Sequence, residues 1–437
     1  MEPSITAPST ASESIAARLA VRFAWLKKGT LAILDQALFA GSNFLINILL
    51  ARSLPRAQYG AFALAFSVLL LIGGIHSASI TEPMMVFGPG KFADGYRKYL
   101  GILVYGHFGL TLPLGALLCA VGVEIGSTTN SPVGRALEAC GIAVPLILFL
   151  RFARLGFYVK LKPAWSIAAG AIYCGLIVAV AWSLLRVKQL TPMNALIGMG
   201  ASGFIVALVF LSRLRPTWQR KEGPDLSNVA KEHWKYGRWS VATDLSSWVP
   251  ANIYYVVIPL WFGLAGSADL KALLNLMLPV QNCIAGLSMI LMPSLVYDLR
   301  ELGTKGMNRT MISHFSVLAG IACVYSSALW ISGPFLLHLL YGGKYDALSR
   351  GLILLSGLLP LGAAAISIVG NGLRALERPN FIFWCYLAAA VVSVALGIPL
   401  TAFFGVVGAL IGMCLTSLLA SLMLLKSYRS LSLSARG

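Results

Sequence analysis

Apolar residues in this chain do not alternate with polar ones; they come in long runs. A helix that crosses a bilayer needs about 20 apolar residues. Runs of that kind fall at 29–51, 59–80, 99–122, 136–158, 164–185, 192–211, 238–262, 270–297, 311–332, 350–373, 380–402 and 405–425. They take up well over half of the chain and leave no room for a soluble domain of ordinary size. The pattern predicts an all-α, polytopic membrane protein with about twelve transmembrane helices.

Composition agrees. Of 437 residues, 58% are apolar and 11% are charged, whereas soluble proteins carry about 25% charged residues. A soluble globular fold is thereby excluded. The charge is lopsided, with 34 Lys and Arg against 16 Asp and Glu, a net +18. Nucleic-acid binding needs a polar basic face, and here the basic residues lie between apolar runs, so no nucleic-acid partner is expected. The positive-inside rule accounts for them instead. With a cytoplasmic N-terminus, the cytoplasmic segments hold 26 of the 34 basic residues. Both termini then come out cytoplasmic, as an even number of spans requires. Topology explains most of the +18, so net charge is weak support for an anionic substrate.

The layout divides into a tail at 1–28, an N-lobe at 29–211 with spans one to six, a linker at 212–237, a C-lobe at 238–425 with spans seven to twelve, and a tail at 426–437. The first two dozen residues lack the apolar core of a signal peptide. The stretch from Ile15 to Lys28 reads either as a helix lying on the anionic membrane surface or as a basic flank that fixes orientation. Between about Gly333 and Arg350 an external loop is expected, with a turn at Gly342-Gly343. Cys119, Cys140, Cys174, Cys283, Cys323, Cys385 and Cys414 all lie in apolar runs without disulfide or zinc spacing.

The halves resemble each other. Asp35 and Asn43 in the first span match Asp244 and Asn252 in the seventh at an offset of 209, and Glu82-Pro83 matches Met292-Pro293 at 210. Six spans per half make the repeat parallel, and transporters place substrate at the interface of such repeats. Asp35, Phe39, Ser42 and Ile46 share a helix face, with Asn43 and Asn47 beside it; Asp244, Trp248, Ala251 and Tyr255 repeat the pattern, flanked by Ser247 and Asn252. These two polar stripes are expected to line a central cavity between two six-helix lobes.

Intramembrane polar residues are costly and tend to be functional. For Asp35 and Asp244 two readings stand: a helix cap or a pair with Lys27, Lys28 or Arg238, and direct contact with substrate or ion. Asn43, Asn47 and Asn252 read as interhelical hydrogen bonders or cavity lining. Glu82 reads as part of a proton relay or as an interfacial carboxylate beside Lys91. Gln281 and Asn282 lie in the middle of the eighth span and are cavity candidates. Arg151 and Arg154, three apart, read as a fork for phosphate or as positive-inside anchors. Arg52 and Arg56 lie on the external side, where the charge bias does not explain them. Arg374 follows Asn371 and Gly372 near an entrance. His107, His314 and His338 are isolated in the sequence and give weak signals. Pro250, Pro259, Pro279 and Pro293 interrupt the seventh and eighth spans, where a rocking transporter would flex, and Gly408 and Gly412 form a GxxxG in the last. There is no GxxxxGK[ST], HExxH or GxSxG motif and no cluster of metal ligands. No cofactor and no metal are expected.

The segment 34–90 carries Ala51-Arg52-x-Leu54, Tyr59-Gly60-x-Phe62 and Glu82-Pro83. Here the chain resembles the polysaccharide biosynthesis proteins of the bacterial polysaccharide transporter family. That family includes the O-antigen flippases and belongs to the multidrug/oligosaccharidyl-lipid/polysaccharide exporter superfamily. The likeness is clearest over 30–92; elsewhere it rests on the twelve-span layout. It implies two six-helix lobes in a V around a central, often cationic cavity, lined by the first, second, seventh and eighth helices. The first-span stripe here is acidic and amidic instead. Twelve spans also differ from the fourteen common in lipid II flippases of the superfamily.

The expected function is non-enzymatic: alternating-access export of a polyprenyl-diphosphate-linked oligosaccharide across the bacterial cytoplasmic membrane, for surface polysaccharide. Expected partners are that lipid, a coupling ion (proton or sodium), and a polysaccharide polymerase with its chain-length regulator. Two alternatives stand: a cation-coupled multidrug exporter of the same superfamily, and a membrane glycosyltransferase or polysaccharide ligase. The expected site residues are Asp35, Asn43, Asn47, Arg52, Glu82, Arg151, Arg154, Asp244, Asn252, Gln281 and Asn282.

Overall fold

The computed structural model describes residues 34, 35, 38, 40–129, 131–217, 224–376, 378 and 380–434, with the side chains of 289, 290, 292, 293 and 432–434 excepted. The N-terminal tail with its Ile15–Lys28 segment, Lys27 and Lys28 as partners for Asp35, Phe39, the linker residues 218–223, the side chains of Met292 and Pro293, and residues 435–437 lie outside the described set.

Every described element is helical. α1 covers 40–53. α2 (Arg56–His76) passes through a π-turn (Ser77–Thr81) into α3 (Glu82–Phe87). α4 (Tyr96–Thr129), α5 (Pro132–Val159), α6 (Pro163–Arg186) and α7 (Pro192–Leu214) complete the N-lobe. α8 (Leu226–Asn252) and α9 (Tyr254–Tyr341) open the C-lobe, followed by α10 (Arg350–Gly357), α11 (Leu359–Ala375), α12 (Asn380–Val392), a second π-turn (Ser393–Gly397) and α13 (Ile398–Ser434).

Local chemistry sets the starts and stops. Proline opens α5, α6 and α7, where a missing N–H costs nothing. Ser131, Thr191, Asp225 and Ser349 each accept a backbone N–H and cap a helix start. The long helices α9 and α13 fold back at Gly263, Gly303 and Gly405, whose φ values are 69°, 67° and 55°. Left-handed backbone there favours glycine. Among the described residues nine uninterrupted stretches are long and apolar enough to cross a membrane. The stretches that end at Ser288 and begin at Ser294 belong to the one helix α9; joining them, breaking the chain at the three reversals and adding α1 makes twelve crossing segments, as the apolar runs predict.

Two boundaries differ from expectation. α8 begins at Leu226, inside the segment read as linker, because Asp225 caps it there. α9 runs on to Tyr341, so the expected 333–350 loop shrinks to the turn that starts at Gly342 and Gly343, with φ 63° and 84°.

Lobe packing follows side-chain volume. Leu112, Leu117, Val324, Ile331, Phe335 and Phe403 are exposed on the outer surface, where hydrocarbon is the solvent. The central helices α2 and α5 are mostly enclosed. A single apolar core fills the N-lobe and continues into the C-lobe at one end of the molecule, where Ile46 and Tyr59 join Leu273, Leu276 and Tyr341. Toward the other end, from Val280 to Met311 and Tyr428, the C-lobe keeps a separate core. This second, basic end carries the Lys- and Arg-rich loops.

Gly412 of the sequence GxxxG serves contact within the C-lobe. A Cβ there would lie 2.5 Å from Tyr254 Oη and 3.0 Å from Gly397 Cα. Overpacking of this kind costs about 1–3 kcal/mol. Gly412→Leu is expected to lower the midpoint of thermal unfolding in detergent, whereas Ser417→Ala, beside the same helix stack, leaves it near wild type.

Candidate functional site

Pro83 in the second span sets the lobe contact at the basic end. It has no N–H to give to the Ser79 carbonyl four residues back. Instead His233 Nδ1 of α8 lies 2.9 Å from that oxygen, and Tyr99 Oη lies 2.7 Å from His233 Nε2. The carbonyl only accepts, so His233 donates from Nδ1 and Tyr99 donates to Nε2. Gly237 lets α8 come this close, since a Cβ would sit 2.7 Å from the Ala78 carbonyl oxygen. Lys91 and Glu232 pair at 2.8 Å beside it. Deeper in, Trp248 Nε1 donates to the Ser67 carbonyl at 2.8 Å.

The opposite end is latched more extensively. Arg56 forms an ion pair with Asp269 and lies over the Tyr345 ring at 5.6 Å. Arg52 Nη1 donates to the Leu339 carbonyl at 3.3 Å, and Lys344 Nζ to that of Leu54 at 2.9 Å. Partial burial lowers the Lys344 ammonium below its usual pKa. Asn275 Nδ2 donates to Tyr59 Oη at 2.8 Å, and Tyr59 to Asn47 Oδ1 at 3.2 Å, which joins α9 to α1 through α2. The closest approach is Gly60, where a Cβ would fall 1.8 Å from the Leu264 carbonyl oxygen. The lobes are therefore closed at this end.

Between the latch and the basic end lies a chain of three cavities. A deep one of about 420 Å³ is lined by Ser247, Asn252, Tyr255, Lys271, Asn275 and Gln281. A middle one of about 350 Å³ shares Ile366 and Tyr386 with it. An outer one of about 840 Å³ shares Arg374 and Ile382 with the middle one and is lined further by Glu82, Asp244, Tyr236, Trp239 and Phe383. The deep wall is largely apolar, with Leu70, Leu274, Leu278 and Met413 among its residues, and its polar groups are amides, hydroxyls and one ammonium; the outer wall is aromatic with two carboxylates and a guanidinium.

Lys271 is the deepest charge. It is 9% exposed, and its Nζ sits 4.9 Å from the Phe66 ring centroid and 5.6 Å from that of Tyr255. Phe66 comes from the N-lobe and Tyr255 from the C-lobe, so the ammonium lies at their seam. No carboxylate pairs with it among the described residues. Sequence reasoning overlooked it because the eighth apolar run was taken to start at 270. The helix in fact starts after Gly263, two turns earlier. The signal was available, since Lys271 breaks the charge bias just as Arg52 and Arg56 do.

The expected site residues separate into three groups. Asn252 and Gln281 line the deep cavity, and Glu82 and Asp244 line the outer one. Arg151 donates to Ser77 Oγ at 3.2 Å and interacts electrostatically with Asp244 and Glu82. The first-span stripe goes elsewhere. Asp35, 4% exposed, pairs with Arg154 at 2.8 Å and accepts from Tyr158 Oη at 2.8 Å and Ser166 Oγ at 3.0 Å, all within the N-lobe. Arg151 and Arg154 do not form a fork, because their side chains are drawn to different carboxylates. Asn43 is half-buried and accepts through its carbonyl from Asn47, which is 1% exposed. Arg52 is exposed at the latch, beside a small apolar groove between α1 and α6. Asn282 is half-buried and joins neither the deep nor the outer cavity wall.

No known family model and no curated protein sequence matches the chain. Solved structures do. A multidrug-resistance MATE-family transporter of the MOP superfamily, in its inward-facing conformation, superposes with a TM-score of 0.76 at 12% identity, over 92% of this chain and 95% of that one. The lipid II flippase MurJ, in an inward closed conformation, gives 0.74 at 12% identity, over 92% and 87%. The eukaryotic MATE transporter AtDTX14 gives 0.65 at 16% identity, over 94% and 99%.

Proposed function

We propose that this multi-pass membrane protein, which has the fold of MOP-superfamily transporters, is a flippase. It carries a polyprenyl-diphosphate-linked oligosaccharide across the bacterial cytoplasmic membrane by alternating access, for surface polysaccharide synthesis. In this reading the basic end is cytoplasmic, both termini lie there, and the lobes are 29–211 and 238–425, joined by 212–237. The observation that carries the reading is Lys271: a buried cation that no carboxylate pairs with among the described residues, in a cavity whose largely apolar wall also presents the amides and hydroxyls of Ser247, Asn252, Asn275, Gln281 and Thr416. Such a site suits an anion attached to a polyhydroxyl group, since charge-assisted bonds to phosphate oxygens are strong. The neighbours in fold are transporters, one of them a flippase for a lipid-linked substrate, which favours transport over glycosyl transfer.

A cation-coupled multidrug exporter is the second reading. Glu82 and Asp244 beside Trp239 and Phe383 in the outer cavity favour it, because carboxylates and aromatic faces suit apolar cations.

The test is a deletion strain with no redundant transporter. Lipid-linked repeat units are expected to collect on the cytoplasmic side while surface polysaccharide is lost. Normal surface polysaccharide, together with raised sensitivity to cationic drugs, supports the exporter instead. A polymerase and chain-length regulator are the proposed downstream partners.

A further inference from the structure

Two histidines that take no part in the cavities lie inside the N-lobe. His76 ends α2 just before the π-turn, and His107 lies on α4; both are 0% exposed. Their rings meet edge to face with centroids 4.9 Å apart, and His76 Nε2 lies 2.9 Å from His107 Nδ1. The other nitrogen of His107, Nε2, lies 3.0 Å from the Pro145 carbonyl oxygen.

Hydrogen-bond direction fixes the protons. The carbonyl only accepts, so His107 carries its proton on Nε2. In the neutral pair His107 Nδ1 is then the acceptor, and His76 donates to it from Nε2. His76 Nδ1 is left as a bare lone pair. It is buried and has no hydrogen-bond partner among the described residues. An ordinary core histidine pair would have both outer nitrogens satisfied, since orphaned buried polar atoms are rare. This pair has one end closed on a carbonyl and the other end open.

The surroundings connect that open end to the lobe contact. Arg151 of α5 interacts electrostatically with His76 and donates to Ser77 Oγ in the π-turn. Asp244 of α8 lies against Gly74 of α2, where an added Cβ would be 3.4 Å from its carboxylate, and it interacts in turn with Arg151 and Glu82. Lys271 of α9 faces α2 further along, over Phe66. π-turns inside α-helices occur frequently at functional sites, and this one follows His76 directly.

We infer that the His76–His107 pair is a proton-binding site of the N-lobe. One proton from solution adds to His76 Nδ1. No bond breaks, because His76 Nε2–H still donates to His107 and His107 Nε2–H to Pro145. The charge gained sits next to Arg151, which with burial opposes it in this arrangement, and Arg151 is balanced by Glu82 of α3 and, across the lobe contact, by Asp244 of α8. Proton occupancy and lobe arrangement therefore bear on each other. The site does not depend on which substrate is carried.

The test uses the full-length protein in detergent with 15N-labelled histidine. The chain has five histidines, and His76→Gln and His107→Gln assign the pair. Gln at 76 keeps an N–H toward His107 and removes the base. The expected wild-type spectrum at about pH 8 shows His76 protonated at Nε2 and bare at Nδ1. On acidification the Nδ1 signal moves to the protonated position while the coupling across the His76–His107 bond persists. Potentiometric titration is expected to show about one proton fewer taken up by His76→Gln than by wild type. The wild-type spectrum carries the result even where a variant folds poorly. Nδ1 already protonated at about pH 8, Nδ1 bare until the protein unfolds, or superimposable titrations of the two folded proteins would each overturn the inference.

Discussion

Replacing Lys271 by Met is expected to lower flipping of a lipid-linked oligosaccharide in proteoliposomes by about 10- to 100-fold without weakening the fold. A hydrogen bond to a charged group contributes about 1.5–3 kcal/mol, and each 1.4 kcal/mol is a factor of about ten in binding. The ammonium has no carboxylate to leave stranded among the described residues. Removing a buried charge of this kind, and filling its place with an apolar chain of similar length, is neutral or stabilising. The prediction is thus a split: transport falls while the thermal midpoint stays level or rises. Lys271→Arg retains most of the transport, because a guanidinium also stacks on Phe66 and Tyr255. Unchanged transport in Lys271→Met would remove the main support for an anionic substrate. A fall in transport and stability together would make Lys271 a structural residue.

Asp35 and Arg154 predict the opposite split. Their side chains are 5% and 8% exposed at 2.8 Å separation. Asp35→Asn removes the carboxylate that Arg154 is ion-paired with, and Arg154→Met removes the guanidinium that Asp35 is ion-paired with. Breaking a buried pair from one side costs about 3–5 kcal/mol. Each single variant is therefore expected to unfold at markedly lower temperature or denaturant than wild type. Asp35→Asn/Arg154→Met is expected to lose less than the sum of the two, because neither charge remains. Additive losses, read in a double-mutant cycle on purified protein, would show that the two side chains act independently.

These two sites show where sequence reading stopped. The spacing that matched Asp35 with Asp244 is real in the chain, yet the two acids do different things. Arg154 reaches Asp35, whereas the position 209 residues after Arg154 is Ala363. Asp244 has no arginine of its own lobe there and lines the outer cavity, within electrostatic range of Arg151 across the lobe contact. A repeat in sequence predicts equivalent backbone positions, and the partner supplied by a distant helix decides what a side chain does. His107 gives a similar case: isolated in sequence, it is joined to His76 by the packing of α4 on α2.

The apolar runs by themselves determined the number of crossing segments, and the Gly342-Gly343 turn was legible as well. These features depend on local quantities: the thickness of hydrocarbon that one helix must span and the backbone freedom of glycine. The tertiary structure alone decided that the lobes close at one end through Arg56 and Asp269, that Lys271 is buried between them, and that the first-span polar stripe is spent inside the N-lobe. Those outcomes depend on which helix faces which, and hydropathy does not encode that, since lipid tails and helix interiors are equally apolar.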